Sequence, residues 1–486
     1  MSRQIARNFS WYFLYQVLIV AIPLVMMPYV ARVIGVEGAG TYAYTLAIAH
    51  YFVLFAMLGL GSHGNRAIAQ VRGDREQISS LFWNLYTLQV LSTLLILLLY
   101  GLWLWFDRRQ PLAVWQVIYV LSALFDINWL FFGLEQFRKV VIRNTVTKLL
   151  TLALVFVFVR QAEDLAAYTC IMALSFCLGN LALWPGLVGL VVWRRPSWRA
   201  IRPHVAPVWL LFVPILAVSV YRVFDKLMIG TLSTISELGL YDHAERINQV
   251  QINLATALAA VLLPRLSHLV AQGDDRAERA LIRRAMPFIL FLSIGLAAGY
   301  MAVADPFMPL FLGQPFARSA LILTVLAPTG VLITWVVMIR SLILIPHHQE
   351  RLYVQAILIG AAVNIVGNLI LIPRFGAVGA AAGTLAAECV LVLVQTFLVR
   401  DRLEWRVFSR DAAVFLPAGL IMVVGVKMLG ALPALSRLAP GLALAAQVVL
   451  GGSLYFGLIL IWFTVLDRSR GRAIAASIKQ FIRSEQ

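Results

Sequence analysis

The sequence predicts an all-α polytopic membrane protein with about 14 transmembrane helices. Three observations predict it. Of 486 residues, 61% are hydrophobic and 13% charged, against about 45–50% apolar and about 25% charged in a soluble domain. The mean hydropathy is +0.85. The apolar residues also gather in runs of about 20, the length that crosses a bilayer as helix. Together these exclude a soluble globular enzyme, a disordered chain and a secreted disulfide scaffold.

The runs begin near Phe9, Gly40, Leu81, Leu112, Thr145, Ala166, Val205, Leu240, Met286, Ser319, Tyr353, Ala377, Ala412 and Leu442. The first continues to Val30 with no small-residue cleavage site behind it, so it reads as a span and not a signal peptide. Cys170 and Cys177 share one helical face and Cys389 lies far away. That spacing fits neither zinc nor a disulfide framework, and small buried hydrophobes are the favoured reading.

The chain carries 40 Lys+Arg against 23 Asp+Glu, a net charge of +17. Nucleic-acid binding would need a basic face on a soluble domain, and here the cations sit in short connectors between apolar runs. Alternate connectors divide them about four to one, which places both termini in the cytoplasm. No outer connector is long enough to fold into a domain, as an enzyme working from such a loop would need.

Internal repetition organises the spans. IGVEGAGTYAY, with Gly35, Glu37, Gly38, Gly40 and Tyr42, returns about 199 residues later as IGTLSTISELGLYDHA, with Gly230, Glu237, Gly239 and Tyr241. Gly73-Asp74-Arg75 returns as Gly273-Asp274-Asp275-Arg276. Repeated halves are common in transporters. The expected organisation is an N-terminal lobe over 1–203 (spans 1–6), a C-terminal lobe over 204–408 (spans 7–12), and 409–486 with spans 13–14 and a basic cytoplasmic tail.

The segments PYVARVIGVEGAGTYAY (Pro28 to Tyr44), LGLGSHGNRAIAQVRGDREQIS (Leu58 to Ser79), WLFFGLEQFRKVVIRN (Trp129 to Asn144) and YRVFDKLMIGTLSTISELGLYDHAERI (Tyr221 to Ile247) resemble those of bacterial oligosaccharide flippases. LLPRLSHL (Leu262 to Leu269) and FGAVGAAAGTLAAE (Phe375 to Glu388) continue the series. The resemblance is to the polysaccharide-transporter branch of the multidrug/oligosaccharidyl-lipid/polysaccharide exporter superfamily, and it covers roughly residues 1–410. It implies two six-helix lobes in a V around a central cavity. It also implies alternating access and a cargo of undecaprenyl-pyrophosphate-linked oligosaccharide for O-antigen, capsule or exopolysaccharide synthesis at the bacterial inner membrane. Membrane lipids, a polysaccharide polymerase and a chain-length regulator are the partners it implies.

Charges inside spans are the candidate transport residues, because each costs about 2.5–3.5 kcal/mol at a helix centre. Arg222, Asp225 and Lys226 share one face of span 7; they form either a self-neutralising cluster or part of a cationic site. Asp242, Glu245, Arg246, Gln249, Asn253 and Thr256 make a polar stripe on span 8. It lines a cavity or packs between helices. Arg222 and Arg246 lie at similar depth and could attract a pyrophosphate; Arg340, in the inner third of span 10, could hold it on the other side. Arg32 and Lys148 are weaker cationic candidates, equally readable as interface residues. Asp225, Asp126, Glu388 and His50 are candidates for proton or ion coupling or for counter-ions, His50 also as a packed, hydrogen-bonded residue.

No catalytic residue and no metal or other cofactor is expected. GxxxxGK[ST], HExxH and DxD are absent from the sequence. The rival readings are a drug/cation antiporter, whose cavity should be rich in acids, a membrane glycan ligase or polymerase, and a scaffold within an assembly complex.

Overall fold

Glycine and aspartate build the turns that start the long helices. At Gly73-Asp74 the Asp74 carboxylate accepts the backbone N–H of Glu76 at 2.8 Å and of Gln77 at 3.1 Å, filling two of the four donors a helix start leaves open. Two hundred residues on, Asp274 accepts the Ala277 N–H at 2.9 Å. The two copies of the repeat therefore cap their helices in the same way.

The Gln77 N–H, ahead of the Glu76 N–H, holds the Asp74 carboxyl below its ordinary 3.8. A carboxyl held low stabilises the folded state fully above its unfolded value and loses that effect as pH falls through the lowered one. Asp74→Ala is therefore expected to melt below the wild type at neutral pH. Thermal melts of the purified protein between pH 7 and pH 3 should show that gap closing toward the acid end.

The computed structural model describes residues 3–107, 110–403 and 405–466; the expected basic tail falls outside them. In chain order come α1 (Arg3–Met57), α2 (Leu60–Gln70), α3 (Arg75–Phe106), α4 (Val117–Ser122), α5 (Asn128–Gly133) and α6 (Phe137–Phe158). Then follow α7 (Leu165–Leu181), α8 (Trp198–Leu232), α9 (Ile235–Ala271), α10 (Asp275–Leu312) and α11 (Ser319–Ile339). The last are α12 (Glu350–Leu398), α13 (Trp405–Gly430), α14 (Pro433–Ser436) and α15 (Pro440–Ile461). There is no strand among the described residues.

Twelve helical stretches among the described residues are long and apolar enough to cross a membrane. Two are of double length. At 1.5 Å per residue α1 would reach about 80 Å and α12 about 74 Å, against a hydrocarbon core of about 30 Å. Each is broken at a glycine with left-handed φ, Gly35 (69°) and Gly376 (58°), which glycine adopts without penalty from a side chain. The runs expected from Phe9 and Gly40 thus share α1, and those from Tyr353 and Ala377 share α12.

The run from Leu112 departs from a single helix. It breaks between α4 and α5, where the Asp126 backbone is extended. Gln89 of α3 supplies the lost donors: its Nε2 donates to the Ala123 carbonyl at 2.7 Å and the Asp126 carbonyl at 2.9 Å. Its Oε1 accepts the Trp129 indole N–H at 3.0 Å. In an apolar medium broken helix persists only with such partners.

The chain divides into two compact units, Met1–Asp242 with Asn368–Ala377, and His243–Gly367 with Val378–Gln486. In the first, Trp129 stacks on Phe82 at 5.5 Å within a buried cluster of Leu60, Ile68, Leu85 and Phe131. The two hairpins of the repeat also meet there. A Cβ on Gly40 would lie 3.0 Å from the Gly239 nitrogen, and one on Gly239 would lie 3.0 Å from the Gly40 nitrogen. Only small residues allow backbones to approach so closely. In the second unit α10, α13 and α15 share a core of Leu290, Ile294, Phe415, Met422 and Tyr455. Cys177 is buried as expected, Cys170 is half-buried and Cys389 is exposed, a surface position its apolar run did not predict.

Candidate functional site

Span 7 is α8, and it carries all three charges. Lys226 Nζ pairs with Asp242 Oδ1 of α9 at 2.6 Å. Asp225 is buried, 3% exposed. Its carboxylate accepts the Asn368 Nδ2–H of α12 at 2.7 Å and the Tyr241 hydroxyl of α9 at 3.2 Å. Arg222 is exposed, and no carboxylate among the described residues pairs with it. The pair across the hairpin, Lys226–Asp242, therefore leaves Arg222 as a cation displayed from a membrane-length helix.

Glu237, beside this cluster, closes the bend of α12. Its Oε2 accepts the Ala377 N–H at 2.8 Å, and a Cβ on Gly376 would meet that same oxygen. All of these groups belong to the first unit.

In the second unit the stripe on α9 divides into two faces. Asn248 and Gln251 are buried against α11. Asn248 Nδ2 donates to Thr329 Oγ1 at 2.9 Å, and Gln251 Nε2 to the Ala327 carbonyl at 3.0 Å. Arg246, Gln249 and Asn253 are half-buried and Thr256 is exposed; Gln249 Nε2 donates to Asn253 Oδ1 at 3.2 Å. The face carrying Arg246, Gln249, Asn253 and Thr256 is thus the open one. Packing between helices is done by the neighbouring face, which sequence reasoning missed. Asn and Gln inside an apolar run were the available signal.

Arg340 opens a π-helical turn, Arg340–Leu344, a feature frequent at functional positions. Its exposed guanidinium lies 4.9 Å from the Tyr353 ring centre, a cation–π distance. Arg32 is exposed on α1 and Lys148 half-buried on α6.

The remaining candidates are built into the helices around them. Asp126 Oδ1 accepts the Asn128 backbone N–H at 3.0 Å and its Nδ2–H at 2.6 Å, while Arg143 donates to Asn128 Oδ1. His50 Nδ1 lies 3.4 Å from the Tyr119 hydroxyl. Glu388 is 1% exposed on α12. No group of three or more potential metal ligands occurs among the described residues.

The first unit displays Arg222 and has a buried carboxylate, Asp225, that bridges three helices, and the second unit has Arg246, Arg340, Gln249 and Asn253 on exposed or half-buried faces. A guanidinium on such a face can pair with an anionic group. The model of the polysaccharide biosynthesis protein family matches residues 5–270. A relative from Escherichia coli (strain K12), named for O-antigen transport, is 19% identical over 393 residues, 78% of this chain and 93% of that protein. Among solved structures the chain is similar to the lipid II flippase MurJ in an inward closed conformation. The TM-score is 0.73 at 14% identity, covering 94% of this chain and 98% of that one. It is also similar to an inward-facing multidrug resistance transporter of the MATE family in the MOP superfamily. There the TM-score is 0.58 at 15% identity, covering 79% of this chain and 98% of that one. At these identities the likeness to solved structures concerns the fold.

Proposed function

This chain belongs to the polysaccharide biosynthesis protein family, and we propose that it is a flippase for lipid-linked oligosaccharides. In this reading the cargo is an undecaprenyl-pyrophosphate-linked repeat unit. It passes from the cytoplasmic to the outer leaflet of the bacterial inner membrane, with both termini of the chain in the cytoplasm. The sugar-pyrophosphate head takes a hydrated path by alternating access while the isoprenoid tail stays in lipid. A polysaccharide polymerase and a chain-length regulator are its partners in this reading.

The observation that carries the reading is Arg222. A cation displayed from a membrane-length helix, with no carboxylate pairing it among the described residues, calls for an anion from outside the chain. A guanidinium meets phosphate as a planar, bidentate fork. Arg246, on the α9 face that also carries Gln249 and Asn253, and Arg340 are further guanidinium groups on membrane-length helices. The acid-rich site of a cation antiporter is not what these faces offer.

Reloading couples to a proton or ion gradient, with Asp225 the first candidate and Asp126, Glu388 and His50 behind it. In a deletion strain, lipid-linked repeat units are expected to accumulate on the cytoplasmic side and surface polymer to disappear. Arg222→Ala, Arg246→Ala and Arg340→Ala, expressed singly, are each expected to lower flipping about tenfold or more at wild-type membrane levels, the loss of one charge-assisted hydrogen bond of about 1.5–3 kcal/mol. Wild-type flipping in all three would refute the site.

A further inference from the structure

The connector between α7 and α8 is strapped along the start of α3. The Val192 N–H donates to Ser79 Oγ at 2.9 Å, and the Trp83 indole N–H donates to the Val192 carbonyl at 3.1 Å. The Ser197 N–H donates to Asn84 Oδ1 at 3.2 Å, and Arg194 pairs with Glu76 at 2.6 Å. The Trp193 ring lies edge-on to Trp83 with centres 4.4 Å apart. Ser79 and Asn84 are themselves buried, so the strap is fixed to the core of its unit.

This fixed strap displays indoles and arginines together. Trp193 is 62% and Trp198 63% exposed, and between and beyond them stand Arg195, Arg199 and Arg202, all exposed. The nearby carboxylates are engaged: Glu76 with Arg194, Glu135 with Arg72, and Asp74 with its own helix start. No ion pair reaches Arg195, Arg199 or Arg202 among the described residues. The strap also sits where three membrane-length stretches end or begin, Ala162–Leu187, Arg75–Phe106 and Trp198–Leu232.

We propose that the strap from Trp193 to Arg202 is a docking surface for the head groups of anionic phospholipids. Indole rings settle at the head-group level of a bilayer. Arginines beside them attract the anionic leaflet and grip phosphate oxygens in pairs. An acidic soluble protein would match the arginines but leave two exposed indoles unmatched. Because the strap joins the two copies of the repeat, head groups bound there would bias transport by lipid charge, independently of the cargo's identity.

The test uses the full-length protein purified in mild detergent. Retention of phosphatidylglycerol is compared by mass spectrometry with that of phosphatidylcholine of the same acyl chains. The wild type is expected to prefer phosphatidylglycerol. Arg195→Gln, Arg199→Gln and Arg202→Gln are each expected to weaken that preference about fivefold, and 1 M salt to remove most of it. Trp193→Ala/Trp198→Ala is expected to lower retention of both lipids. Unchanged melting temperatures in the arginine variants keep folding out of the comparison. Equal retention of the two lipids by the wild type would overturn the proposal, as would wild-type preference in the triple arginine variant. So would equally tight competition by inorganic pyrophosphate, which would return the surface to the cargo.

Discussion

Alanine at Gly239 is expected to reduce transport about fivefold or more while the chain still reaches the membrane. The added Cβ would lie 3.0 Å from the Gly40 nitrogen and 3.1 Å from the Val36 carbonyl carbon. These are backbone atoms, which cannot swing aside as a side chain can. Forced overpacking of this kind costs about 1–3 kcal/mol, enough to lower the population of the packed hairpins by about fivefold to over a hundredfold. In the proposed alternating-access cycle these hairpins part and repack, so a shift of that size would fall on the rate. Gly40→Ala should behave alike, because its Cβ would meet Ile235 and Gly239 in the same reciprocal way. Gly61→Ala is the control: a Cβ there meets nothing within 4 Å. Flipping assays at matched membrane levels check all three. Wild-type transport in both Gly40→Ala and Gly239→Ala would show that this contact is not part of the cycle.

That contact marks how far the sequence could be read. The glycines at 40 and 239 are visible as a repeat because the same turn recurs 199 residues later. That they touch each other is not visible, since no local pattern records which two turns a fold brings together. The spans were legible because hydropathy is a local property. The break between α4 and α5 was not, because the groups that make it tolerable belong to Gln89 on another helix. Arg222 and Arg246 stood out as charges in apolar runs. Asn368 and Tyr241, which close around Asp225, did not: one is 143 residues away, and neither carries a charge. The stripe on α9 was found, but its division into an open face and a packed face depends on where α11 lies.

Asp225→Asn is expected to leave the protein folded and to remove its response to the driving gradient. Asp225 sits on α8 and accepts hydrogen bonds from Tyr241 on α9 and Asn368 on α12, so its charge state bears on the packing of three helices at once. A carboxylate at 3% exposure lies in surroundings where adding or removing one positive charge changes energies by several kcal/mol. That makes binding of a proton or a small cation there an effective lever on helix positions. Asparagine keeps the size and one acceptor oxygen, so the hydrogen bonds can largely re-form, while the lever is gone. Transport in reconstituted vesicles is expected to fall about tenfold or more, a change of about 1.4 kcal/mol in the barrier, and the residue of activity to be flat against pH and sodium. Asp225→Glu, which restores the charge on a longer stem, should recover part of the ion response. A purely structural role would lower the melting temperature of Asp225→Asn and leave its ion dependence like the wild type's, and that result would move the search for coupling to Glu388, a carboxylate 1% exposed on α12.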